Sequence, residues 1–184
     1  EILADSLYYN RALGFASANK NIVIIDTLNN SVLKGNYAEF YEKVDSAFVV
    51  GRAVAVTNTH KDSLFIHGDT ILATGKPEER IIRCYHHVKF FKSDLSGKCD
   101  SIHSNQGSGL TQMFVNPVLW SNESQITGDT IQLINDTDED RLDSLKVLSN
   151  AFIINRDSLG FNQIKGRDLL GKFEENDLRF VNIV

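Results

Sequence analysis

The stretch Ile126-Thr127-Gly128-Asp129-Thr130-Ile131-Gln132-Leu133 decides the fold. Side chains alternate along a strand. Read as one unbroken strand, the stretch puts Ile126 and Gly128 on one face and Ile131 and Leu133 on the other. A bulge or corner at Gly128-Asp129 returns Ile126, Ile131 and Leu133 to a common apolar face. The small residue lets the backbone bend closely, and the carboxylate accepts hydrogen bonds from amides that the corner uncovers.

The same tetrad, small–acidic–any–apolar, recurs along the chain. Its copies are Ala4-Asp5-Ser6-Leu7, Ala38-Glu39-Phe40-Tyr41, Gly68-Asp69-Thr70-Ile71, Cys99-Asp100-Ser101-Ile102 and Gly128-Asp129-Thr130-Ile131, with a degenerate copy at Arg167-Asp168-Leu169-Leu170. Successive first positions lie 34, 30, 31, 29 and 39 residues apart. A looser Asp-Ser/Thr-apolar triplet falls at Asp26, Asp45, Asp62, Asp143 and Asp157. Repeats of ~30 residues made only of strand and turn imply a stacked array in which each unit covers its neighbour's apolar face. The windows between corners alternate as strands do, as in Val54-Ala55-Val56, Leu64-Phe65-Ile66 and Val88-Lys89-Phe90. The chain has 16 Asn and 12 Gly against 2 Pro, which supplies tight turns and leaves backbone donors free for ladders. Ala38–Val44 has helix-forming composition, and Leu142, Leu145 and Leu148 have three-residue spacing; the repeat assigns both to strand. The expectation is an all-β, antiparallel architecture.

The 184 residues suit one domain or one continuous repeat array. With 42% apolar and 23% charged residues the chain is too apolar to be disordered. Its net charge of −5, without a Lys/Arg cluster, argues against general nucleic-acid binding. The longest apolar runs, such as Ile22–Ile25 and Ala151–Ile154, fall far short of the ~20 residues of a membrane helix. Cys84 and Cys99 are too few for a disulfide scaffold. A hairpin about Ser93-Asp94 places Cys84 opposite roughly residue 103 and Cys99 opposite roughly residue 88, so free thiols are expected. The chain opens at Glu1 in mature-looking sequence and closes on the alternating Phe180–Val184. The expectation is a processed piece of a longer chain, its export signal removed.

Catalytic and metal signals are poor. The histidines are His60, His67, His86, His87 and His103. His86 and His87 are adjacent, point to opposite faces if on a strand, and cannot chelate one ion together. There is no His-x-x-x-His or Cys-x-x-Cys pair. The run Asp136–Asp140 begins like a calcium loop but has Arg141 at the sixth position and Val147 at the twelfth, so it reads as a solvated turn. Asn105–Gly109 lacks the nucleophile-elbow pattern, and no phosphate-cradling Gly-Lys-Ser/Thr is present. The Asp column reads as turn chemistry in preference to a catalytic or calcium role. Neither an enzyme nor a bound metal or cofactor is expected.

A family resemblance rests on His87-Val88-Lys89-Phe90-Phe91, on Asp94–Ile102, on Asn116-Pro117-Val118-Leu119-Trp120, and on Gln125–Ile131. In this order the segments resemble the OstA-like (LptA-type) domain of lipopolysaccharide transport. The clear match covers about residues 45–184, and residues 1–44 fit more weakly. Cys99 replaces the Ala often found there, and the Arg167 copy is degenerate. The resemblance implies a single domain over 1–184, folded as an open-ended antiparallel β-jellyroll (a β-taco) built from ~30-residue repeats. It also implies a periplasmic location, possible outer-membrane association, and a Gram-negative outer-membrane biogenesis role.

The function so implied is binding of lipopolysaccharide acyl chains in an apolar trough, with end-to-end assembly onto related domains. At roughly 0.8 kcal/mol per buried CH₂, a chain of about a dozen carbons gains on the order of 9 kcal/mol gross. If the corners work as proposed, the lipid-facing residues include Ile66, Ile71, Ile102, Ile126, Ile131, Leu133 and Ile164, with Phe90, Phe114 and Phe152 widening or gating the trough. The bland alternative is a closed, dry core. Unpaired strands at each end invite strand addition by a partner, including a further copy of the chain. Two other functions stay open: a structural or carbohydrate-binding β-solenoid with Trp120 and a few Tyr as platforms, and a β-helix polysaccharide enzyme, which needs paired carboxylates across a groove.

Overall fold

The computed structural model describes residues 1–27, 30–58, 62–76, 79–121, 124–136, 141–174 and 177–183. The chain makes successive antiparallel passes. The first is β1 (Ile2–Leu3) with β2 (Ser6–Asn10). Six unbroken passes follow: β3 (Phe15–Asp26), β4 (Ser31–Tyr41), β5 (Ser46–Asn58), β6 (Ser63–Thr74), β7 (Ile81–Phe91) and β8 (Leu95–Asn105). Later passes divide in two: β9 (Leu110–Phe114) with β10 (Val118–Ser121), β11 (Ser124–Thr127) with β12 (Thr130–Asp136), β13 (Arg141–Leu148) with β14 (Phe152–Asp157), and β15 (Gly160–Lys165) with β16 (Leu169–Glu174). β17 (Asp177–Ile183) ends the series. The stretches that invited a helical reading are β13 and the end of β4, the latter followed by a single 3₁₀ turn at Glu42–Val44.

All the strands form one sheet, and every pairing is antiparallel. A crease divides this sheet into two walls. The first wall runs β2–β3–β4–β5–β6–β7–β8–β9–β12–β13–β16–β17. The second runs β1–β3–β4–β5–β6–β7–β8–β10–β11–β14–β15. The long strands belong to both walls, and their register shifts mark the crease, as between Asn19 and Ile22 and between Tyr85 and Val88. The sheet does not close: β1 and β2 lie at one end, β15 and β17 at the other. This is an open antiparallel β-jellyroll, the fold class expected from the sequence.

The crease is built from two alternating devices. Every second pass carries two consecutive left-handed residues: Lys20-Asn21, Gly51-Arg52, His86-His87, Val115-Asn116 and Ser149-Asn150. The intervening passes carry a small–acidic pair at Ala4-Asp5, Gly68-Asp69, Cys99-Asp100 and Gly128-Asp129, with Gly35-Asn36 in its place on β4 and Arg167-Asp168 before β16. At Gly128-Asp129 the bend leaves both Ile126 and Ile131 without exposed surface, so the corner does restore them to one face. The Asp129 amide donates to the Ser149 carbonyl at 3.0 Å, and the Asn150 side-chain amide donates to the Asp129 carboxylate at 3.0 and 3.1 Å. Asn21 donates to Asp5 in the same way at 3.1 and 3.2 Å. The ~30-residue repeat is therefore one pass of each device.

Three expectations change here. The second tetrad, Ala38-Glu39, lies off the crease. Gly35-Asn36 occupies the corner on β4, while Glu39 accepts hydrogen bonds from Tyr37 and Tyr41. His86 and His87 do not alternate, because both are left-handed at φ 60° and 54°. Both are exposed, and they reach opposite neighbours: His87 Nδ1 lies 2.9 Å from Asp69 Oδ2, and His86 Nδ1 lies 3.2 Å from Asp100 Oδ1. The corner carboxylates bond mainly to side chains. Asp168 is the exception: the Ser149 amide, then Arg167, hold its carboxyl below the usual range. His60 and residues 137–140 of the acidic run lie outside the described residues.

Glycine at two corners is fixed by contact. A Cβ on Gly128 would meet Val147 Cγ1 at 2.2 Å, and one on Gly35 would meet Val49 Cγ1 at 2.2 Å. Backbone and side chain approach so closely there that no larger residue fits without movement.

Candidate functional site

The walls enclose apolar rows that run the length of the molecule. On the first wall, cross-strand register links Leu7, Ala18, Ala38, Val49, Ile71 and Cys84 in one unbroken row. The row continues through Ile102, Met113, Ile131, Val147, Leu169 and Ile183. On the second wall the facing row links Ile2, Ile24, Leu33, Ala55, Ile66 and Phe90, then Gly97, Leu119, Ile126, Ile153 and Ile164. Residues paired directly across an antiparallel ladder share a face. A single change of corner would break a row by turning half a strand inside out.

Next to the crease the interior is packed with side chains. Val49, Ala53, Cys84, Met113, Ile131 and Val147 have no exposed surface. Further from the crease the two halves differ. In the later passes the second interior rows are sealed, with Leu119, Ile126 and Leu145 at 0% exposure. In the earlier passes the same rows are half-buried at Ile24, Leu33, Ala55 and Ile66. On the first wall the next interior row runs Ala16, Phe40, Ala47, Ala73 and Ile82 in the earlier passes, and carries Leu133 and Leu145 in the later ones. The walls thus enclose a wedge: filled at the crease and in the later passes, looser toward the lips of β3–β7.

Arg80 and Asp26 approach to 4.0 Å, linking the first wall's lip before β7 to the end of β3 in the second. Inside, Ser104 and Thr111 hydrogen-bond each other at 2.8 Å, satisfying two hydroxyls on an otherwise apolar surface. Both thiols are free and buried. Burial, then the neighbouring Cys99, pushes the Cys84 thiol up to about 12. Burial likewise raises Cys99 to about 12, against the opposing hydrogen bond from its environment at Phe114. Cys84 pairs with Ile102 and Cys99 with Val88, close to the register expected from the hairpin. Among the described residues, no group of three or more His, Cys, Asp or Glu could hold a metal ion.

Eight of the ten residues expected to face lipid lie on these interior rows. Ile71, Ile102, Ile126, Ile131, Leu133 and Phe90 are buried and fill the space between the walls, while Ile66 is half-buried in the looser half. Ile164 ends its row on the edge strand and is 45% exposed. Phe114 and Phe152 are the corrections. Phe114 pairs with Ser101 and Thr130 and packs against His103 with ring centroids 5.1 Å apart. Phe152 pairs with Thr127 and Lys165. Each is one position out of step with the buried row, so each faces outwards. Sequence reasoning also passed over Leu33 and Ala55, whose signal was alternation with the same parity as Ile66.

The ends of the rows are apolar and exposed. Leu7 and Tyr9 are exposed on β2, Ile2 on β1, Ile164 on β15 and Val181 on β17, and Phe161 and Phe180 are exposed on the outward side of the same last strands.

The geometry defines a creased, open antiparallel jellyroll with an apolar interior. It resembles the crystal structure of LptH, the LptA homologous periplasmic component of the conserved lipopolysaccharide transport device from Pseudomonas aeruginosa. The TM-score is 0.50 at 18% sequence identity, over 57% of this chain and 74% of that one, a likeness of fold. No family model and no curated protein matches the sequence.

Proposed function

We propose that this chain is a lipid-transport module that holds the acyl chains of lipopolysaccharide between its two walls. The observation that carries the reading is the pair of apolar rows running from edge strand to edge strand, with the space between them loosened at Ile24, Leu33, Ala55 and Ile66. An interior this apolar offers an acyl chain a place away from water. The lack of polar anchors along the rows favours sliding over fixed attachment. The fold shared with a periplasmic lipopolysaccharide-transport component supports the same reading and a periplasmic location. Among the described residues no helix is long and apolar enough to cross a membrane.

End-to-end assembly is part of the proposal. Among the described residues β1 and β2 at one end and β15 and β17 at the other each have one ladder neighbour, so each end presents a strand edge beside exposed apolar side chains. Such edges accept a further strand, here from another module of the same fold. The test is uptake. The purified chain, incubated with lipopolysaccharide and passed over a sizing column, is expected to co-elute with it and to resist exchange by buffer. Free chain and free lipopolysaccharide eluting separately would contradict the proposal.

A further inference from the structure

The outward side of the second wall carries a surface that the interior reading does not use. One outward row contains Lys34, Lys89, Lys98 and Lys165, with His67 between Val54 and Lys89. The adjacent row is apolar and aromatic: Val56 pairs with Phe65, Phe65 with Phe91, Phe91 with Ser96, and Ser96 with Trp120. Phe65, Phe91 and Trp120 are 43%, 58% and 36% exposed. Among the described strand residues facing outwards from this wall none is acidic, although the chain as a whole carries a net charge of −5.

The surface also has shape. Ser96 is small and lies between Phe91 and Trp120, two strand spacings or about 10 Å apart. The gap opens a concavity of about 410 Å³ bordered by Val54, Phe65, Phe91 and Trp120, with Lys89 and Lys98 beside it. The Trp120 ring is held in place: its Nε1 donates to Gln125 Oε1 at 2.9 Å, and Lys98 Nζ lies 5.9 Å from its centroid. The outward side of the first wall differs, carrying Glu39 with its two tyrosine partners.

We propose that the outward face of the second wall docks on an anionic lipid bilayer. A lysine row beside exposed aromatics matches the headgroup zone, where lysines meet phosphates and tryptophan lies at the apolar boundary. The concavity gives an apolar segment of a lipid somewhere to enter. A second copy of the chain fits poorly. The crease carboxylates of such a copy are already engaged by Asn21, His87, His86 and Asn150, and Glu39 on its first wall by Tyr37 and Tyr41, so these acids are not free to meet a lysine row. The proposal stands apart from acyl binding in the interior, because the lysines, Phe65, Phe91 and Trp120 point away from the space between the walls, although Ile66, Phe90 and Gly97 of the interior row also border the concavity.

Trp120 is the only tryptophan, so its fluorescence reports on this face alone. With phosphatidylcholine vesicles containing phosphatidylglycerol, its emission is expected to shift to the blue and to be quenched by brominated acyl chains. Pure phosphatidylcholine vesicles are expected to leave it unchanged, and added salt to weaken the response. The double variant K89A/K98A, with unaltered far-ultraviolet circular dichroism, is expected to bind the anionic vesicles about thirtyfold more weakly. The pair K146A/K172A on the first wall is expected to bind as the parent does. No response to the anionic vesicles, an equal response to neutral ones, or equal binding by K89A/K98A would overturn the proposal. So would a blue shift that grows with protein concentration without lipid, which assigns the face to a second copy.

Discussion

Leu119 and Ile126 occupy the same interior row as Leu33 and Ala55, yet the later pair is sealed and the earlier pair is partly open. The crease is the same in both halves. What differs is the next interior row of the first wall: in the early passes three alanines, Ala16, Ala47 and Ala73, interrupted by Phe40 and followed by Ile82, and in the late ones the adjacent leucines Leu133 and Leu145. One folding device therefore yields two interiors. The late passes form a packed core that holds the walls together, and the early passes leave space that the packed half keeps from collapsing.

Truncation reads the difference most strongly. Ile126→Ala removes atoms from a sealed site and is expected to lower unfolding free energy by about 3–5 kcal/mol. Ile66→Ala, in the same row but half-buried, is expected to cost less than half as much, because water already reaches the site. Equal losses in chemical denaturation would break the comparison. Filling the loose half sharpens it. Ala47→Leu with Ala73→Leu is expected to abolish lipopolysaccharide uptake while changing stability by less than about 1 kcal/mol, whereas overpacking a full core costs about 1–3 kcal/mol. Retained uptake would show that the acyl chain goes elsewhere.

The thiols test where the seal begins. Cys84 and Cys99 lie in the early passes but against the crease, where both halves are filled. Protonated and buried, they are expected to resist iodoacetamide in the native chain and to react once it is unfolded. Rapid native labelling would extend the opening down to the crease. The smallest effect is pH-dependent. Burial, then Arg83, lowers the His103 imidazole below its ordinary value. Below about pH 6.5 the unfolded chain takes up this proton before the folded one does. The contribution of His103 is thus present at neutral pH and lost as pH falls through the lowered folded value. A proton-resonance titration is expected to place His103 below the ordinary imidazole midpoint, and a midpoint above it would contradict the packing against Tyr85 and Phe114.

The crease was legible because its Asp residues repeat and because Ile126 and Ile131 conflict in parity unless the chain bends between them. Half of it was hidden. The left-handed pairs read as Lys-Asn, Gly-Arg, His-His, Val-Asn and Ser-Asn; apart from Gly, Asn and His, these residue types rarely take that conformation, so the sequence does not announce it. Without those pairs, Ala38-Glu39 passed for a corner and His86-His87 for ordinary alternation. Phe114 and Phe152 were misplaced for a related reason. Their neighbours Val115-Asn116 and Asn150 shift parity at the bend, and an aromatic ring draws an interior assignment that one residue of slip reverses. The wedge depends on which side chains face each other across the walls, and spacing along the chain does not record that.

The most direct test of the account is photo-crosslinking with lipopolysaccharide from three positions in otherwise unchanged chains: Ile66 in the loose interior, Ile126 in the sealed one, and Lys146 on the outside of the first wall. The account predicts a strong adduct at Ile66, little at Ile126 and none at Lys146. Adducts of equal strength at all three, or none at Ile66 under saturating lipopolysaccharide, would contradict it.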